Sequence, residues 1–242
     1  MALFVTLILG LFFLIGVLVV QFSKKSENIE HYSIAVAFGA MLGIAVLDII
    51  PEMIEITSIK TMYLPLTGIV IGFSLLVLLD KFIPEHEEED DETYSAENMV
   101  HIGIISSIAI VLHNIIEGMA VYSLANQSIN QGLMLTLGVG LHNIPMGMFI
   151  YSTLRSRTGW KRNILLVFAI ISTFIGGLLM MGLAPILSTS FDGVLYGIAL
   201  GMIIYIVILE LLPYVKRNKN RSTSVICAVL GYIIVLISVF LE

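Results

Sequence analysis

The sequence predicts an all-α integral membrane protein with eight transmembrane helices, and three observations carry this prediction. Hydrophobic residues make up 58% of the 242 residues and charged residues only 12%, whereas a soluble domain is about half apolar and a quarter charged. The apolar residues form long runs of the roughly 20 residues that span a bilayer core. Basic residues are concentrated in alternate connections, which an even number of spans produces.

The eight predicted helices, α1 to α8, follow the apolar runs in chain order. They are placed at Ala2–Val20, Ser33–Ile56, Tyr63–Ile83, Val100–Ala125, Gln131–Leu154, Ile164–Leu187, Phe191–Val215 and Ser222–Leu241. The first run lacks a basic leader and a small-residue cleavage pattern, so we interpret it as a mature helix and not a signal peptide. We expect residues 1–242 to form a single transmembrane domain, with one long acidic loop at 84–98.

The distribution of lysine and arginine predicts the orientation in the membrane. Eleven of the twelve basic residues lie in the connections after α1, α3, α5 and α7, and only Lys60 lies on the other side. Basic loops stay in the cytoplasm. We therefore expect a multi-pass protein of the cell membrane with both termini outside and the loop at 84–98 in the cytoplasm.

Two pairs of segments repeat within the chain. Leu112–Met119 in α4 and Leu141–Met148 in α5 match at six of eight positions, and both contain His-Asn. Leu47–Pro51 in α2 is similar to Leu209–Pro213 in α7. Because the members of each pair lie on helices that run in opposite directions, we predict inverted repeats that relate α1–α3 to α6–α8 and α4 to α5.

Several polar side chains at mid-membrane predict a metal site between α4 and α5. His113 and Glu117 share one face of α4, because they are four residues apart, and His142 occupies the matching place on α5. Imidazole and carboxylate bind Zn²⁺ well, and also Fe²⁺, Mn²⁺ or Co²⁺. The alternative interpretation is that paired histidines and asparagines only hold α4 against α5.

Three further residues complete the predicted metal site. Asn114 and Asn143 follow the two histidines and could add amide oxygens or orient the ligands. Met146 shares a face of α5 with His142, where its thioether could favour softer ions. Pro145 leaves the carbonyl of Leu141 without its helical hydrogen bond, beside His142.

Carboxylates nearer the helix ends predict a path across the membrane. Asp48 and Glu52 lie toward the outer end of α2, and Glu210 toward the cytoplasmic end of α7. Ionisable groups within a span are costly and commonly mark a pathway. We interpret Glu55 and Asp80 as interfacial residues.

The remaining composition excludes several classes of protein. Cys227 is the only cysteine, which excludes a disulfide framework and a cysteine-rich metal site. No phosphate-binding loop sequence is present, so the chain has no ATP-hydrolysing site of its own. The polar groups extend along a path and lack the H-E-x-x-H pattern, so we expect no enzyme activity. We expect the lipid bilayer to surround the chain and no nucleic acid to bind it.

These residues resemble those of the ZIP family of divalent metal-ion transporters. The resemblance lies in the helix count, the outward termini, the long α3–α4 loop and three motifs: His113-Asn114-x-x-Glu117-Gly118, Asp48-x-x-Pro51-Glu52 and Glu210-x-x-Pro213. It implies a ZIP-like bundle that moves Zn²⁺, or Fe²⁺, Mn²⁺ or Co²⁺, into the cytosol. It also implies a metal site between α4 and α5, and homodimers, which are common in the family.

The sequence departs from that family at two positions. The α5 residue that matches Glu117 is usually glutamate and here is Met146, and α6 contains no acidic residue. One carboxylate offsets the charge of two divalent ions poorly in a low-dielectric site. We therefore expect one metal ion held by His113, Glu117 and His142. Two alternatives remain: a metal-sensing or structural membrane protein that does not transport, and an intramembrane metalloenzyme.

Overall fold

The computed structural model describes residues 1–23, 27–82, 96–156, 159–183, 189–217 and 220–241. Within these ranges every regular element is helical, and eight helices are long and apolar enough to cross a membrane. The predicted fold class is therefore confirmed. Most of the acidic loop at 84–98 lies outside the described residues, but its last three residues are helical because α4 begins at Ala96.

The eight helices extend the predicted runs by a few residues at most ends. Their bounds are α1 Ala2–Phe22, α2 Glu27–Glu55, α3 Tyr63–Asp80, α4 Ala96–Gln127, α5 Ile129–Thr153, α6 Trp160–Leu183, α7 Thr189–Arg217 and α8 Arg221–Leu241. Leucine, isoleucine and valine cover their outer faces. Such an apolar exterior is what helices require when lipid surrounds them.

Helices α2 and α7 each contain a π-helical segment directly before a proline. The segments are Ile44–Ile49 and Ile206–Leu211, followed by Pro51 and Pro213. Proline has no N–H and its ring clashes with the carbonyl four residues earlier, which here lies inside the π segment. The wider turn relieves that clash, and such turns are frequent at functional sites.

The strongest packing occurs in four helix pairs: α1 with α5, α4 with α6, α3 with α7, and α2 with α8. Four close approaches of a glycine to a backbone carbonyl join the first two pairs: Gly16 to Ile144, Gly147 to Phe13, Gly118 to Thr173, and Gly176 to Ile115. A Cβ atom at any of these glycines would lie only 2.0–2.1 Å from that carbonyl oxygen. The helices can therefore approach this closely only where glycine is present.

The same packing geometry occurs twice in the chain. Gly118 and Gly147 occupy the same place in the two His-Asn segments, and each meets the carbonyl of its partner helix. The two π segments contain Asp48 and Glu210 at matching positions, and each segment ends two residues before its proline, Pro51 or Pro213. The inverted repeat remains a prediction, and these matched contacts support it.

Candidate metal site

Helices α4 and α5 bring three predicted ligands to one point. Oε1 of Glu117 lies 2.7 Å from Nε2 of His113 and 2.8 Å from Nε2 of His142. The ligand atoms of the three residues all lie within 4.8 Å of one another. The helical spacing of four residues places Glu117 beside His113, and the crossing of α4 with α5 brings His142 to the same depth.

The three side chains are enclosed by protein. His113 is 5% exposed and His142 1%, while the side chain of Glu117 is 10% exposed. The ring planes of His113 and His142 are tilted by 40° to each other, with centroids 6.4 Å apart. Two imidazoles and one carboxylate in this arrangement match the ligands that Zn²⁺ and related divalent ions take in open sites, where further positions remain for water.

The two asparagines have different partners. Nδ2 of Asn143 donates to Oε2 of Glu117 at 3.3 Å, whereas Nδ2 of Asn114 donates to the carbonyl of Ala169 in α6 at 3.3 Å. Both side chains are fully buried. Asn143 therefore orients the carboxylate, and Asn114 joins α4 to α6.

Several buried polar atoms at this point have no hydrogen-bond partner among the described residues. They are Nδ1 of His113 and the Oδ1 atoms of Asn114 and Asn143. Nε2 of His113 is close to Oε1 of Glu117 and forms an ion-pair contact with it if the imidazole is protonated. Buried polar groups are nearly always paired, so such a group of unpaired atoms fits a bound ion or water.

A cavity of about 450 Å³ connects these residues with the surface. His113 and Glu117 lie on its wall, and Asp48 and Glu52 line it from α2. It also contacts Gln127 at the end of α4. The cavity therefore opens where α2 and α4 end, which is the side predicted to face out.

Asp48 belongs to the same electrostatic environment as the histidines. It lies in the π segment of α2 and interacts through space with His142, Glu117 and His113. Its carboxylate is therefore placed to add negative charge beside the predicted ligands.

Met146 is present beside the site but does not line the cavity. Its side chain is 1% exposed and belongs to the main apolar cluster with Phe149 and Ile150. By position, one turn after His142, it lies beneath the ligands on the side away from the cavity. Met146 therefore belongs to the apolar core beside the site.

A second group of polar side chains surrounds Glu210. Nε2 of His101 lies 2.8 Å from Oδ1 of Asp80, and ligand atoms of these two residues and Glu210 lie within 4.8 Å of one another. The interpretation of Asp80 as only interfacial missed this arrangement, and His101 was not singled out. The available signal is that Asp80 ends α3 and His101 lies in the second turn of α4, so both are at the predicted cytoplasmic end.

Comparison with known proteins identifies the family. The family model described as "ZIP Zinc transporter" matches residues 83–238. This chain belongs to the ZIP family. The match covers His113, Glu117 and His142, and also His101 and Glu210 of the second polar group.

Curated proteins similar to this ZIP chain align over nearly its whole length. A protein named "Zinc transporter ZupT" from Enterobacter sp. (strain 638) is 30% identical, and the alignment covers 97% of this chain and 96% of that protein. Proteins of the same name from Clostridium perfringens and Chlorobium chlorochromatii are 26% and 28% identical over the whole of this chain, and the alignments cover 95% and 96% of those proteins.

Proposed function

We propose that this chain transports a divalent metal ion, most specifically Zn²⁺, into the cytosol through the site between α4 and α5. The observation that carries this proposal is the convergence of His113, Glu117 and His142, two of which, His113 and Glu117, line a cavity that extends to the end of α4. The relatives are named zinc transporters. Transporters rather than enzymes make up this family, which sets the metalloenzyme alternative aside.

The ion reaches the ligands from the cavity. Asp48 and Glu52 line its wall and attract a cation, since an enclosed cleft with one sign of charge raises the local concentration of its counter-ion. Glu117 then exchanges its contacts with the two imidazoles for a contact with the metal. The ion takes the position between the two helices.

Binding requires a proton to move. A histidine that coordinates through Nε2 must present an unprotonated Nε2, so its proton resides on Nδ1 or leaves. Nδ1 of His113 has no partner among the described residues that would fix it in one tautomer. Metal ions and protons therefore compete for the imidazole nitrogens of this site.

Release takes place at the cytoplasmic side, past the second polar group. Asp80, His101 and Glu210 offer two carboxylates and an imidazole there. They provide an intermediate binding site for the ion between the central ligands and the cytosol. The basic loops support the orientation on which this direction of transport depends, because such loops usually stay in the cytoplasm.

Transport of zinc by purified protein in liposomes tests this proposal. Wild-type protein should admit Zn²⁺ to a dye trapped inside the vesicles, and His113→Ala and His142→Ala should each stop uptake. Loss of groups that merely orient a metal ligand costs about 10–100-fold in affinity or activity, so loss of a ligand itself should cost more.

A matched pair of glutamates separates loss of the site from a general loss of charge. Glu117→Gln should abolish uptake, whereas Glu55→Gln, at an exposed position at the end of α2, should leave it unchanged. Uptake that persists in both histidine variants would refute the proposed site. A folded wild-type protein that binds zinc without flux would favour the sensing alternative, which the presence of Met146 motivates.

A further inference from the structure

A polar contact joins the ends of α2 and α7 that are predicted to face the cytoplasm. The hydroxyl of Tyr214 is hydrogen-bonded to Nδ1 of His31, and the two rings are tilted by 36° with centroids 5.2 Å apart. Tyr214 is 4% exposed. The contact therefore connects the first turns of α2 with the last turns of α7 in a buried position.

Tyr214 follows a π turn and a proline in its helix. It comes directly after Pro213, and the π segment Ile206–Leu211 precedes both residues. Prolines and π turns are the places at which helices bend. The last turns of α7 can therefore swing relative to the part of α7 that carries Glu210, and the contact with His31 opposes that motion.

The corresponding residues at the outer end are not joined. Glu52 follows Pro51 in α2 as Tyr214 follows Pro213 in α7, but Glu52 lines the open cavity opposite Leu195 of α7. The position of α7 that corresponds to His31 is Gly193, which has no side chain with which to bond. A Cβ atom there would meet only Pro65 and Thr57, at 3.6 and 3.7 Å.

We infer that the His31–Tyr214 contact is the latch that keeps the cytoplasmic end closed while the cavity is open to the other side. The inference rests on the proposed transport function, because a carrier must close one end of its path while the other is open. The latch must break before the metal leaves past Glu210. It thereby sets the balance between the two states of the protein.

Thiol labelling on the cytoplasmic side of the metal site tests the latch without any metal. Ser106 lies on the same face of α4 as His113, two turns closer to the cytoplasmic end, and is fully buried. In a Cys227→Ser background, Ser106→Cys should react slowly with a maleimide. Adding Tyr214→Phe should raise that rate about fivefold, the factor by which loss of one typical hydrogen bond shifts a two-state equilibrium.

The control is the neighbouring tyrosine. Tyr32→Phe removes a hydroxyl from α2 at the same depth and should leave the rate unchanged, while His31→Gln should raise it as Tyr214→Phe does. Unchanged labelling in both latch variants, with each protein eluting as a single folded species, would overturn the inference. Because labelling needs no metal, it separates failure of the latch from failure of transport, which zinc uptake measures.

Locking the latch provides the opposite perturbation. His31→Cys combined with Tyr214→Cys, joined by a short bifunctional thiosulfonate, should stop zinc uptake until a reductant cleaves the link. Uptake that continues across a complete cross-link would contradict the latch. Restoration by the reductant would support it, because the polypeptide is then the same apart from the link.

Discussion

Asn143 acts on the metal through the carboxylate that it holds. Its Nδ2 donates to Oε2 of Glu117, which leaves Oε1 directed at the two imidazoles. Asn143→Ala should weaken zinc binding by about 10–100-fold, as loss of a group that orients a ligand does. Titration against a competing chelator measures this, with Asn163→Ala, an exposed asparagine of α6, as the unaffected control. Equal affinities in the two variants would remove Asn143 from the site.

We expect Met146 to limit the site to one metal ion. Met146→Glu would place a second carboxylate one turn from His142, so we expect the protein to bind two zinc ions in place of one. The buried charge should also lower the melting temperature of the metal-free protein, since an unpaired buried charge is costly. Metal analysis after gel filtration gives the number of zinc ions bound per protein. Met146→Gln is the control, because glutamine has the shape of glutamate but not its charge. Two ions in the wild-type protein would contradict this explanation.

Helix packing depends on the glycines that let backbones meet. Gly118→Ala would put a Cβ 2.0 Å from the carbonyl oxygen of Thr173, so α4 and α6 would have to separate beside Glu117. We expect a loss of several degrees in melting temperature together with weaker zinc binding, because overpacking costs about 1–3 kcal/mol. Gly182→Ala, which has open space within 4 Å, should change neither. A tolerated Gly118→Ala would show that the α4–α6 contact is not this tight.

At the level of elements, the sequence predicts the helices well and their irregularities poorly. Long apolar runs determine where spans lie, because lipid requires every backbone group to be bonded within its own helix. Pro51 and Pro213 indicate an interruption in their helices, and a π segment precedes each of them. Pro145 lies inside α5, which contains no π segment. Whether a helix kinks, widens or continues depends on its neighbours in space.

Access to the cavity should be limited to the outer side. Ser123 lines the cavity near the end of α4, so Ser123→Cys should react with a membrane-impermeant thiol reagent added outside whole cells. Saturating zinc should slow the reaction, because the ion and its ligands occupy the same cavity. Labelling only in inverted vesicles would reverse the orientation and with it the proposed direction of transport.

For the whole molecule, local spacing predicted the central ligands but not the second polar group. His113 and Glu117 are neighbours on one helix turn, and the repeated motif placed His142 at their depth, so sequence alone could bring them together. Asp80, His101 and Glu210 come from three helices, and no repeated motif links all three. Whether these residues meet depends on how α3, α4 and α7 pack against one another. The periodicity of the sequence carries no information about that packing.

X-ray absorption at the zinc edge, on protein loaded with one equivalent of zinc, tests whether one metal ion lies between α4 and α5. We predict one ion with two imidazole nitrogens at about 2.0 Å and oxygen for the remaining ligands, and loss of one imidazole in His142→Ala. A spectrum without imidazole would contradict it. So would a second zinc at about 3.5–4 Å, the separation of two-metal sites.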